Sequence, residues 1–558
     1  MPPTLCSEIP PLPRGNAPVG ECFAHRFDYV TLTHLSQGCY RKVFSLTLAS
    51  LTNTGWKLYK MMSRSAKICI IIRESTPEKI AAAILQSRSL AGFLELRLDY
   101  LDRALITGNL LKEWIQLAQV PVIVTFRRKP NGGEFEGSAS EQLEVLRMAL
   151  AAGADYIDLE IETAEGALQG DLSPLRGGKS RLIVSYHNFK ETPSDLEAVF
   201  SRISHLRPDI VKVATLARSF SDNFSLFRMA ELARSREVEV IVAAMGEAGG
   251  ISRILGPSHG SLLTYASLER GRESAPGQFT VHELCELYHL GEISSATKLY
   301  GVVGYPLGHS LSPHIHNPAF KALRMPCCYL PLPVRELSEL APHLASFHGL
   351  SVTIPHKVGI LKYADEVDLS AREASAANTL VRRANRFIAY NTDIYGIEKA
   401  LQEEFSRGPG RAVVLGAGGA ARAACAALRR ANWQATLLAR DPEKARRLAL
   451  DFDFASAELW RAGSLDGDLL INATPVGMSP HTEALPIDPG RLNFHAVFDM
   501  VYNPLETRLL QEARQQGIRT ISGLEMFVAQ AARQFELWTE AKPPAGLMRE
   551  IVLKHLQG

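Results

Sequence analysis

The chain has 558 residues and a formal net charge of +2; 46% of its residues are hydrophobic and 22% are charged. At about 100–200 residues per domain, this length predicts three or four domains, and the near-neutral charge argues against a nucleic-acid or membrane-surface protein. The eight cysteines are scattered, and no apolar stretch reaches the roughly 18–20 residues that span a bilayer, which favours reduced thiols in a cytosolic protein.

Residues 1–65 differ from the rest of the chain, because five of the first thirteen residues are prolines, which disfavour an early helix. The segment has some basic residues and few acids, as a transit peptide would. Met61 and Met62, however, directly precede the first convincing strand, Ile68–Ile72. We therefore interpret residues 1–65 as a disordered leader or an over-extended start and expect the cytoplasm rather than a plastid.

Between residues 66 and 292, strand-like runs alternate with helix-like stretches. Such alternation predicts a parallel sheet, and eight units over about 225 residues predict an α/β fold with a closed (β/α)8 TIM barrel, whose chemistry lies at the C-terminal ends of the strands. The predicted strands are Ile68–Ile72, Gly92–Asp99, Val120–Arg127, Tyr156–Ile161, Arg181–Asn188, Ile210–Thr215, Val238–Gly246 and Leu262–Ser267.

Lys212 is the most informative residue of this half. It lies in Asp209–Thr215, a β-branched run typical of a buried parallel strand. A buried ammonium must be paired or neutralised, and a neutral lysine amine can attack a carbonyl to form a Schiff base. A lysine at a strand end that reaches water, or that pairs with a distant acid, would produce the same pattern.

Other polar side chains fall at the predicted C-terminal ends of the barrel strands or in the loops after them. These residue types suit β-elimination of water from a small, hydroxylated, anionic ketone. The lysine would be the nucleophile, the histidine would move protons and the arginines would bind a carboxylate. A Schiff-base aldolase would use the same electron sink, so it stays open on residue types alone. The side chains are Glu95, Arg97, Arg127, His187, Arg253, Ser274 and Gln278.

These motifs together resemble type I 3-dehydroquinate dehydratase over about residues 67–290. The resemblance implies Lys212 as the Schiff-base lysine, His187 as the proton-transfer residue and the other six side chains around the substrate. Asn131 departs from the family pattern, since many relatives have a glutamate there that orients the histidine. The matching motifs are Glu95–Asp99, Thr125–Arg127, Gly132–Gly137, Tyr186–Phe189, Lys212 and Ser274–Gln278.

A dinucleotide-binding signal follows in the second half. The strand Arg411–Leu415, the glycine-rich turn Gly416–Ala421 and the helix Arg422–Ala431 are arranged as in a Rossmann fold, where the backbone approaches a pyrophosphate. The next strand, Ala435–Ala439, is followed by Arg440 and Asp441. The arginine favours NADP and the acid favours NAD, so we predict NADP and leave NAD open.

Lys357 and Asp393 suit hydride transfer to a ketone, because a lysine held by an aspartate can protonate the carbonyl oxygen. A surface salt bridge is the alternative. Ser312 could likewise only cap the helix that starts at Pro313. His314 and His316 lack an evident third ligand, so we expect no metal.

This module resembles shikimate dehydrogenase over about residues 297–555. The resemblance implies that Lys357 and Asp393 are catalytic, and it departs from the usual pattern at Ser351 and Ala439, where asparagine is common. The resemblance also implies that Asp393 contacts the substrate. The other implied substrate-binding residues are Ser310, Ser312, Thr353, Asn378, Tyr502 and Gln530. The implied cofactor-binding residues are Gly416, Gly418, Gly419, Ala420, Arg440, Thr474 and Gly523. The matching strings are His309–Pro313, Val352–Lys357, Ala377–Thr379, Tyr390–Asp393, Asn472–Gly477, Asp499–Pro504 and Gly523–Gln530.

The two resemblances predict one bifunctional enzyme of aromatic biosynthesis, because the product of the first would be the substrate of the second. A catabolic quinate or shikimate dehydrogenase and a regulator built from inactive copies remain alternatives. We expect small-molecule partners only, as a monomer or a dimer. The predicted segments are the leader 1–65, the barrel 66–292, a shikimate-binding domain 297–402, a Rossmann NADP-binding domain 403–530, and C-terminal helices 531–558 packing back on the shikimate-binding domain.

Overall fold

The computed structural model describes residues 66–308, 310–404, 410–459, 461, 466–490 and 492–557. The leader predicted for residues 1–65, and His309 of the serine-rich motif, lie outside the described residues. Within these ranges the strands form one eight-stranded and two six-stranded sheets. Every helix in the described part of the chain is too short or too polar to span a membrane.

The first sheet is the predicted barrel. The first seven strands pair in parallel, each with the next along the chain, and the last strand pairs with the first. A parallel bridge between Val240 and Ser261 joins the seventh strand to the segment before the eighth. The strands are β1 Ile68–Ile72, β2 Phe93–Arg97, β3 Val122–Thr125, β4 Tyr156–Glu160, β5 Arg181–Asn188, β6 Ile210–Leu216, β7 Glu239–Met245 and β8 Thr264–Ala266.

All eight predicted strands are confirmed, although five of them (β2, β3, β4, β7 and β8) are shorter than predicted. β2 ends at Arg97 because Leu98–Tyr100 turns into a short 3-10 helix. The outer helices begin at clear signals, such as the capping box of Ser138 and Glu141. These helices are α1 Pro77–Ser87, α2 Gly108–Ala118, α3 Ala139–Ala152, α4 Ile161–Gly166, α5 Leu196–His205, α6 Asp222–Ser235 and α7 Gly250–His259.

The second sheet is mixed, in the strand order β10-β9-β11-β13-β14-β12. The pairs β10–β9, β9–β11 and β12–β14 are parallel, whereas β13 runs antiparallel to β11 and β14. The strands are β9 Lys298–Gly304, β10 Cys327–Pro333, β11 Gly349–Val352, β12 Glu366–Val367, β13 Thr379–Arg383 and β14 Arg386–Tyr390. The helices are α8 Ser312–Ala322, α9 Leu337–Leu340, α10 Leu369–Ala374 and α11 Thr392–Glu404.

The third sheet is parallel throughout, in the order β17-β16-β15-β18-β19-β20, which confirms the Rossmann lobe. The predicted helix Arg422–Ala431 begins earlier, because the glycine-rich turn itself enters the helix with Gly418 as N-cap. The strands are β15 Arg411–Leu415, β16 Gln434–Leu438, β17 Ala455–Ser456, β18 Asp466–Asn472, β19 Asn493–Asp499 and β20 Arg519–Ser522. The helices are α12 Gly419–Arg430, α13 Pro442–Phe452 and α14 Arg508–Gln515.

The C-terminal helices are α15, Gly523–Thr539, and α16, Ala545–Gln557. Trp538 of α15 donates its indole N–H to the Leu380 carbonyl at 3.0 Å. A Cβ added at Gly349 of β11 would lie 2.3 Å from the Trp538 ring, so this close approach of α15 to the second sheet requires a glycine. The predicted boundary at residue 530 falls inside α15, which therefore belongs to both predicted segments.

The barrel and the second sheet's lobe are in direct contact. Glu339 accepts a hydrogen bond from the Phe220 amide at 2.8 Å, and its carbonyl accepts one from the Ser221 hydroxyl at 2.7 Å. The imidazole of His343 stacks on the Phe224 ring with centroids 3.7 Å apart. The α6 end of the barrel is therefore tied to α9 and the turn after it.

Candidate active sites

Lys212 lies inside the barrel and is only 4% exposed. Its Nζ donates to Asp158 Oδ2 at 2.6 Å, lies 3.8 Å from Glu95 Oε1 and is 4.6 Å from the centroid of the Tyr265 ring. The lysine does not reach water at a strand end; it pairs with an acid 54 residues earlier. A buried ammonium held by carboxylates is restrained in place, which is the first requirement for a positioned nucleophile.

Asp158 is the charge that the sequence reasoning missed. It accepts from Lys212, from Arg127 Nη2 at 3.1 Å and from the Ser185 hydroxyl at 2.6 Å. Burial alone would raise the pKa of Asp158, but Lys212 and Arg127 override burial and hold that pKa well below its usual range. The signal was available, because Asp158 and Glu160 alternate on a buried strand in the way that drew attention to Lys212.

Arg127 is held on both sides by carboxylates. Besides Asp158, its Nε donates to Glu160 Oε1 at 3.1 Å. Burial would lower the pKa of this guanidinium, but Asp158 and Glu160 raise it. Gln142 donates to the other oxygen of Glu160 at 2.6 Å, so the group is hydrogen-bonded as a buried charge network must be.

Two further predicted residues, Glu95 and Arg97, lie at the same end of β2. Arg97 forms a bidentate pair with Asp99, at 2.8 and 2.7 Å, and Glu95 accepts from the Thr125 hydroxyl at 2.5 Å. The 3-10 turn after β2 brings Asp99 back onto the arginine. Asp99 also accepts from the Glu134 amide at 3.1 Å, which anchors the glycine-rich loop.

His187, on β5, has a buried Nδ1 with no hydrogen-bond partner among the described residues. Burial, then the charges of Arg127 and Lys212, lower its pKa well below its usual value, so the imidazole is neutral near pH 7. Asn131 donates its amide to Glu162 at 3.0 Å, and its Oδ1 is also buried without a partner in the described chain. Neither residue bonds the other in this arrangement.

The remaining predicted residues of the barrel follow β7 and β8. Arg253, expected in a loop, lies in α7, is 3% exposed and has a buried Nε without a partner in the described chain. Burial lowers its pKa to about 10. Gln278 accepts from the Ser274 amide and hydroxyl at 2.8 and 3.2 Å, but its Nε2 lacks a partner within the described ranges. Unpaired buried donors of this kind suit an anionic, oxygen-rich ligand.

The second candidate site lies between the second and third sheets. Lys357 donates to Asp393 Oδ2, and Asn378 donates to the other oxygen, Oδ1, at 2.8 Å. Asn378 also donates to Gln530 Oε1 of α15 at 3.4 Å. Lys357 and Asp393 are both largely buried, which distinguishes them from a surface salt bridge. The structure thus brings together four of the predicted residues of this module.

Two of the other predicted substrate residues, Ser310 and Ser312, lie at the start of α8. Ser312 is the first residue of that helix, and the N-cap is Leu311, so the alternative in which Ser312 caps the helix is wrong. The Ser312 amide donates to the Ser310 hydroxyl at 3.4 Å. The Leu311 backbone lies close to the Tyr502 hydroxyl, whose pKa is raised by burial to about 12. Thr353 lies against Gly304, where an added Cβ would be 2.4 Å from its methyl group.

The glycine-rich turn lies beside Lys357. Gly416 has φ +118°, a conformation that favours glycine, and a Cβ added at Gly419 would lie 2.8 Å from Lys357 Cβ. Gly418 has open space where a Cβ would be. A cofactor phosphate can approach this backbone closely, and the N-terminus of α12 favours an anion there. Of the other predicted cofactor residues, Ala420 lies in the first turn of α12, Thr474 follows β18 and Gly523 opens α15.

The residues after β16 fit a phosphorylated ribose better than a free one. Asp441 caps α13 by accepting from the Lys444 amide at 3.2 Å, and its carboxylate lies 3.5 Å from Lys444 Nζ. Arg440 is exposed and forms no ion pair with any described residue. The acid is therefore engaged in the helix start, while the arginine is available for a 2′-phosphate.

The two histidines of α8, His314 and His316, pack against different neighbours. His314 packs against His555 of α16, with ring centroids 4.3 Å apart, and His316 stacks on Tyr329 at 4.5 Å. Across the described residues there is no group of three His, Cys, Asp or Glu side chains arranged to hold a metal ion.

Three family models match the chain. Type I 3-dehydroquinase matches residues 68–295, Shikimate dehydrogenase substrate binding domain matches residues 302–380, and Shikimate 5'-dehydrogenase C-terminal domain matches residues 523–553. The matches fall on the barrel, on the second sheet with α8, and on α15 with α16.

The chain is 36% identical over 522 residues to the bifunctional 3-dehydroquinate dehydratase/shikimate dehydrogenase, chloroplastic, of Arabidopsis thaliana, covering 89% of this chain and 86% of that one. It is 41% identical over 280 residues to a shikimate dehydrogenase (NADP(+)) of Symbiobacterium thermophilum, which covers 47% of this chain and 95% of that one. A solved structure, dehydroquinate dehydratase and shikimate dehydrogenase from S. pombe AroM, is 25% identical, covers 89% of this chain and 100% of that one, and gives a TM-score of 0.38.

Proposed function

We propose, from the premise that this chain belongs to the family of bifunctional type I 3-dehydroquinate dehydratase/shikimate dehydrogenase enzymes, that Lys212 and the Lys357–Asp393 pair are its two catalytic centres. The barrel is a lyase that dehydrates 3-dehydroquinate to 3-dehydroshikimate. The second module is an NADP-dependent oxidoreductase that reduces this product to shikimate, the next step of the shikimate pathway.

In the barrel, the Lys212 amine loses its proton, attacks the substrate ketone and expels the ketone oxygen as water to form an imine. The cationic imine acidifies the neighbouring carbon, and neutral His187 takes a proton from that carbon. His187 then returns the proton to the hydroxyl that leaves as water. Hydrolysis of the imine restores the amine, so one water is lost overall. Arg127, Arg253 and Gln278 supply donors to the carboxylate and hydroxyl groups of the substrate.

The observation that carries the dehydratase proposal is the Lys212–Asp158 pair inside the barrel. Asp158 keeps the lysine nitrogen at a fixed position, and Arg253 and Gln278 provide buried donors without partners in the described chain. An aldolase would use the same imine, but the second module takes the dehydrated ketone as its substrate, which favours dehydration.

Borohydride reduction tests the imine directly. Incubating the full chain with 3-dehydroquinate and borohydride should add a stable mass to the peptide that contains Lys212, read by mass spectrometry, with loss of dehydration. Lys212→Arg, which keeps the positive charge, should show no adduct and no dehydration. An active protein that is never trapped, or an adduct on another lysine, would refute the assignment.

In the second module, Asp393 holds Lys357 beside the glycine-rich turn, and Lys357 delivers a proton to the carbonyl oxygen as the ketone becomes an alcohol. When bound, NADPH supplies the electron pair for this reduction. Asn378 and Gln530 orient the substrate hydroxyls, and Ser310 and Ser312 hold its carboxylate. Gly416, Gly418 and the start of α12 accommodate the pyrophosphate, and Arg440 binds the 2′-phosphate.

A reducing compartment suits the described cysteines. Cys69, Cys285, Cys327, Cys328 and Cys425 are all free thiols. The plant relative is named as chloroplastic, whereas we propose the cytoplasm for this chain because disulfide-free thiols are typical there.

A further inference from the structure

A buried hydrogen-bond network runs from one end of the dehydrogenase pocket to the other. The Tyr329 hydroxyl donates to Ser351 Oγ at 2.7 Å, and the Ser351 hydroxyl donates to Gln534 Oε1 at 2.8 Å. These three side chains are 0%, 6% and 2% exposed. None of them was among the predicted site residues, although Ser351 stands where related enzymes commonly have asparagine.

The first end of the network meets the serine-rich motif. The Ser312 side chain also lies close enough to the Tyr329 hydroxyl to oppose the effect of burial on the pKa of the tyrosine. Burial raises the pKa of Tyr329, so the phenol stays protonated and can go on donating to Ser351. The tyrosine therefore constrains the hydroxyl of a proposed carboxylate-binding residue.

The second end meets the catalytic pair. Gln534 directs its Nε2 to the Asn378 carbonyl at 3.1 Å and to the Thr379 hydroxyl at 3.0 Å. Thr379 in turn donates to Asn378 Oδ1 at 2.8 Å, and Asn378 donates to Asp393 at 2.8 Å. Because Ser351 fixes the amide of Gln534 with its oxygen towards the serine, the rotation of Asn378 depends on the same network.

Helix periodicity explains how Gln534 arrives there. It lies four residues after Gln530 on α15, so both amides face the pocket from one side of the helix. Gln530 accepts a hydrogen bond from the Asn378 side chain. Gln534 donates to the Asn378 backbone carbonyl and to the hydroxyl of the next residue, Thr379. Serine at position 351 is smaller than the asparagine that is common there. It therefore leaves room for Gln534, which makes the hydrogen bonds that the asparagine amide would otherwise make.

We infer that Tyr329, Ser351 and Gln534 are positioning residues that couple the carboxylate end of the substrate pocket, at Ser312, to the catalytic end, at Asn378 and Asp393. The inference rests on the proposed role of the second module in shikimate oxidation and reduction. The three residues act through their neighbours and do not themselves contact the reacting atoms.

Kinetics of the full chain with shikimate and NADP test this inference. Tyr329→Phe should raise the KM for shikimate roughly tenfold with kcat within about twofold, because binding at the carboxylate end weakens equally in ground and transition states. Ser351→Ala and Gln534→Met should lower kcat roughly tenfold, because Asn378 and Asp393 lose their fixed orientation. Ser351→Thr, which keeps the hydroxyl, should retain most of that kcat.

Tyr300→Phe is the matched control. Tyr300 pairs in register with Tyr329 on the neighbouring strand, is 2% exposed and takes no part in the network, so its loss should change neither parameter by more than twofold. Dehydration by the same samples reports whether the chain is folded. The inference would be overturned if the KM and kcat of Tyr329→Phe, Ser351→Ala and Gln534→Met all stayed within twofold of the wild type. It would also be overturned if Tyr300→Phe showed the same losses, or if the dehydratase activity of these variants fell in parallel. Unchanged shikimate oxidation in Lys357→Ala would instead refute the proposed function.

Discussion

Burial does most to lower the pKa of His187, and the surrounding charges act mainly in the same direction. Arg127 and Lys212 lower its pKa further than burial alone, while Asp158 compensates only in part. The imidazole therefore stays neutral down to acidic pH, as a proton acceptor should. Asn131, where many relatives have a glutamate, adds no negative charge to offset this.

Asn131→Glu should raise the pKa of His187. The new carboxylate would be repelled by Glu162, which the Asn131 amide now contacts, and would turn towards the unpartnered Nδ1. Because the base must be neutral, the acid limb of the dehydratase kcat/KM profile should move up by roughly one pH unit. Asn131→Gln is the uncharged control and should leave the limb in place. If the acid limb lay at the same pH in both variants, or at a lower pH in Asn131→Glu, the assigned role of charge at position 131 would be wrong.

At the residue scale, prediction from sequence worked where a charge stood in an apolar run and failed where the partner was remote. Lys212 was conspicuous among β-branched residues, and Asp158 on β4 gave a similar signal, but only the fold shows that these two residues, 54 positions apart, pair with each other. Tyr329 and Gln534 gave no signal, because a buried hydroxyl or amide reads as ordinary core until its hydrogen bonds are seen.

At the scale of elements, several predicted site residues lie at strand ends or near helix starts, as Arg97, Ser312 and Asp393 do. The alternation of strands and helices predicted all eight barrel strands, since parallel strands are buried on both faces and so read as continuous apolar runs. Boundaries failed where a turn is built into the next element. The chain enters α12 at Gly419, and Arg253 lies within α7 because helix formation begins immediately after the Glu247–Gly249 turn.

Asp499 joins three elements of the Rossmann lobe, and its deprotonation should make that lobe less stable as pH rises. It ends β19, accepts from Asn472 of β18 at 2.9 Å and accepts from Thr507, the N-cap of α14, at 2.6 Å. Burial raises the pKa of Asp499 to about 6 despite these bonds. Its contribution is therefore complete below an unfolded pKa of about 4 and is lost as pH rises through about 6.

Urea unfolding of the full chain at pH 5 and pH 7.5 checks this dependence. The Rossmann transition of the wild type should lose on the order of 2–3 kcal/mol over the whole titration of Asp499, and Asp499→Asn should remove that part of the slope. The barrel transition should be the same in both proteins. A variant whose pH slope equals that of the wild type would show that Asp499 does not titrate in this range.

At the scale of the whole molecule, two modules share one chain, and buried apolar side chains of the barrel and of the second sheet belong to one hydrophobic cluster. Glu339, His343 and Ser221 add polar contacts that join α9 and its following turn to the start of α6. Lys212 and its partners lie in the barrel, whereas the network of Tyr329, Ser351 and Gln534 is confined to the second module. Each site is therefore expected to keep its chemistry when the other is disabled.

A coupled assay of the full chain with 3-dehydroquinate and NADPH, followed at the nicotinamide absorbance, tests whether the two modules act in sequence. The wild type should consume NADPH, because the barrel makes the ketone that the second module reduces. Lys212→Ala should consume none from 3-dehydroquinate yet oxidise shikimate with NADP at close to the wild-type rate. NADPH consumption that survives in Lys212→Ala, or loss of both activities in a folded Lys212→Ala protein, would contradict the account.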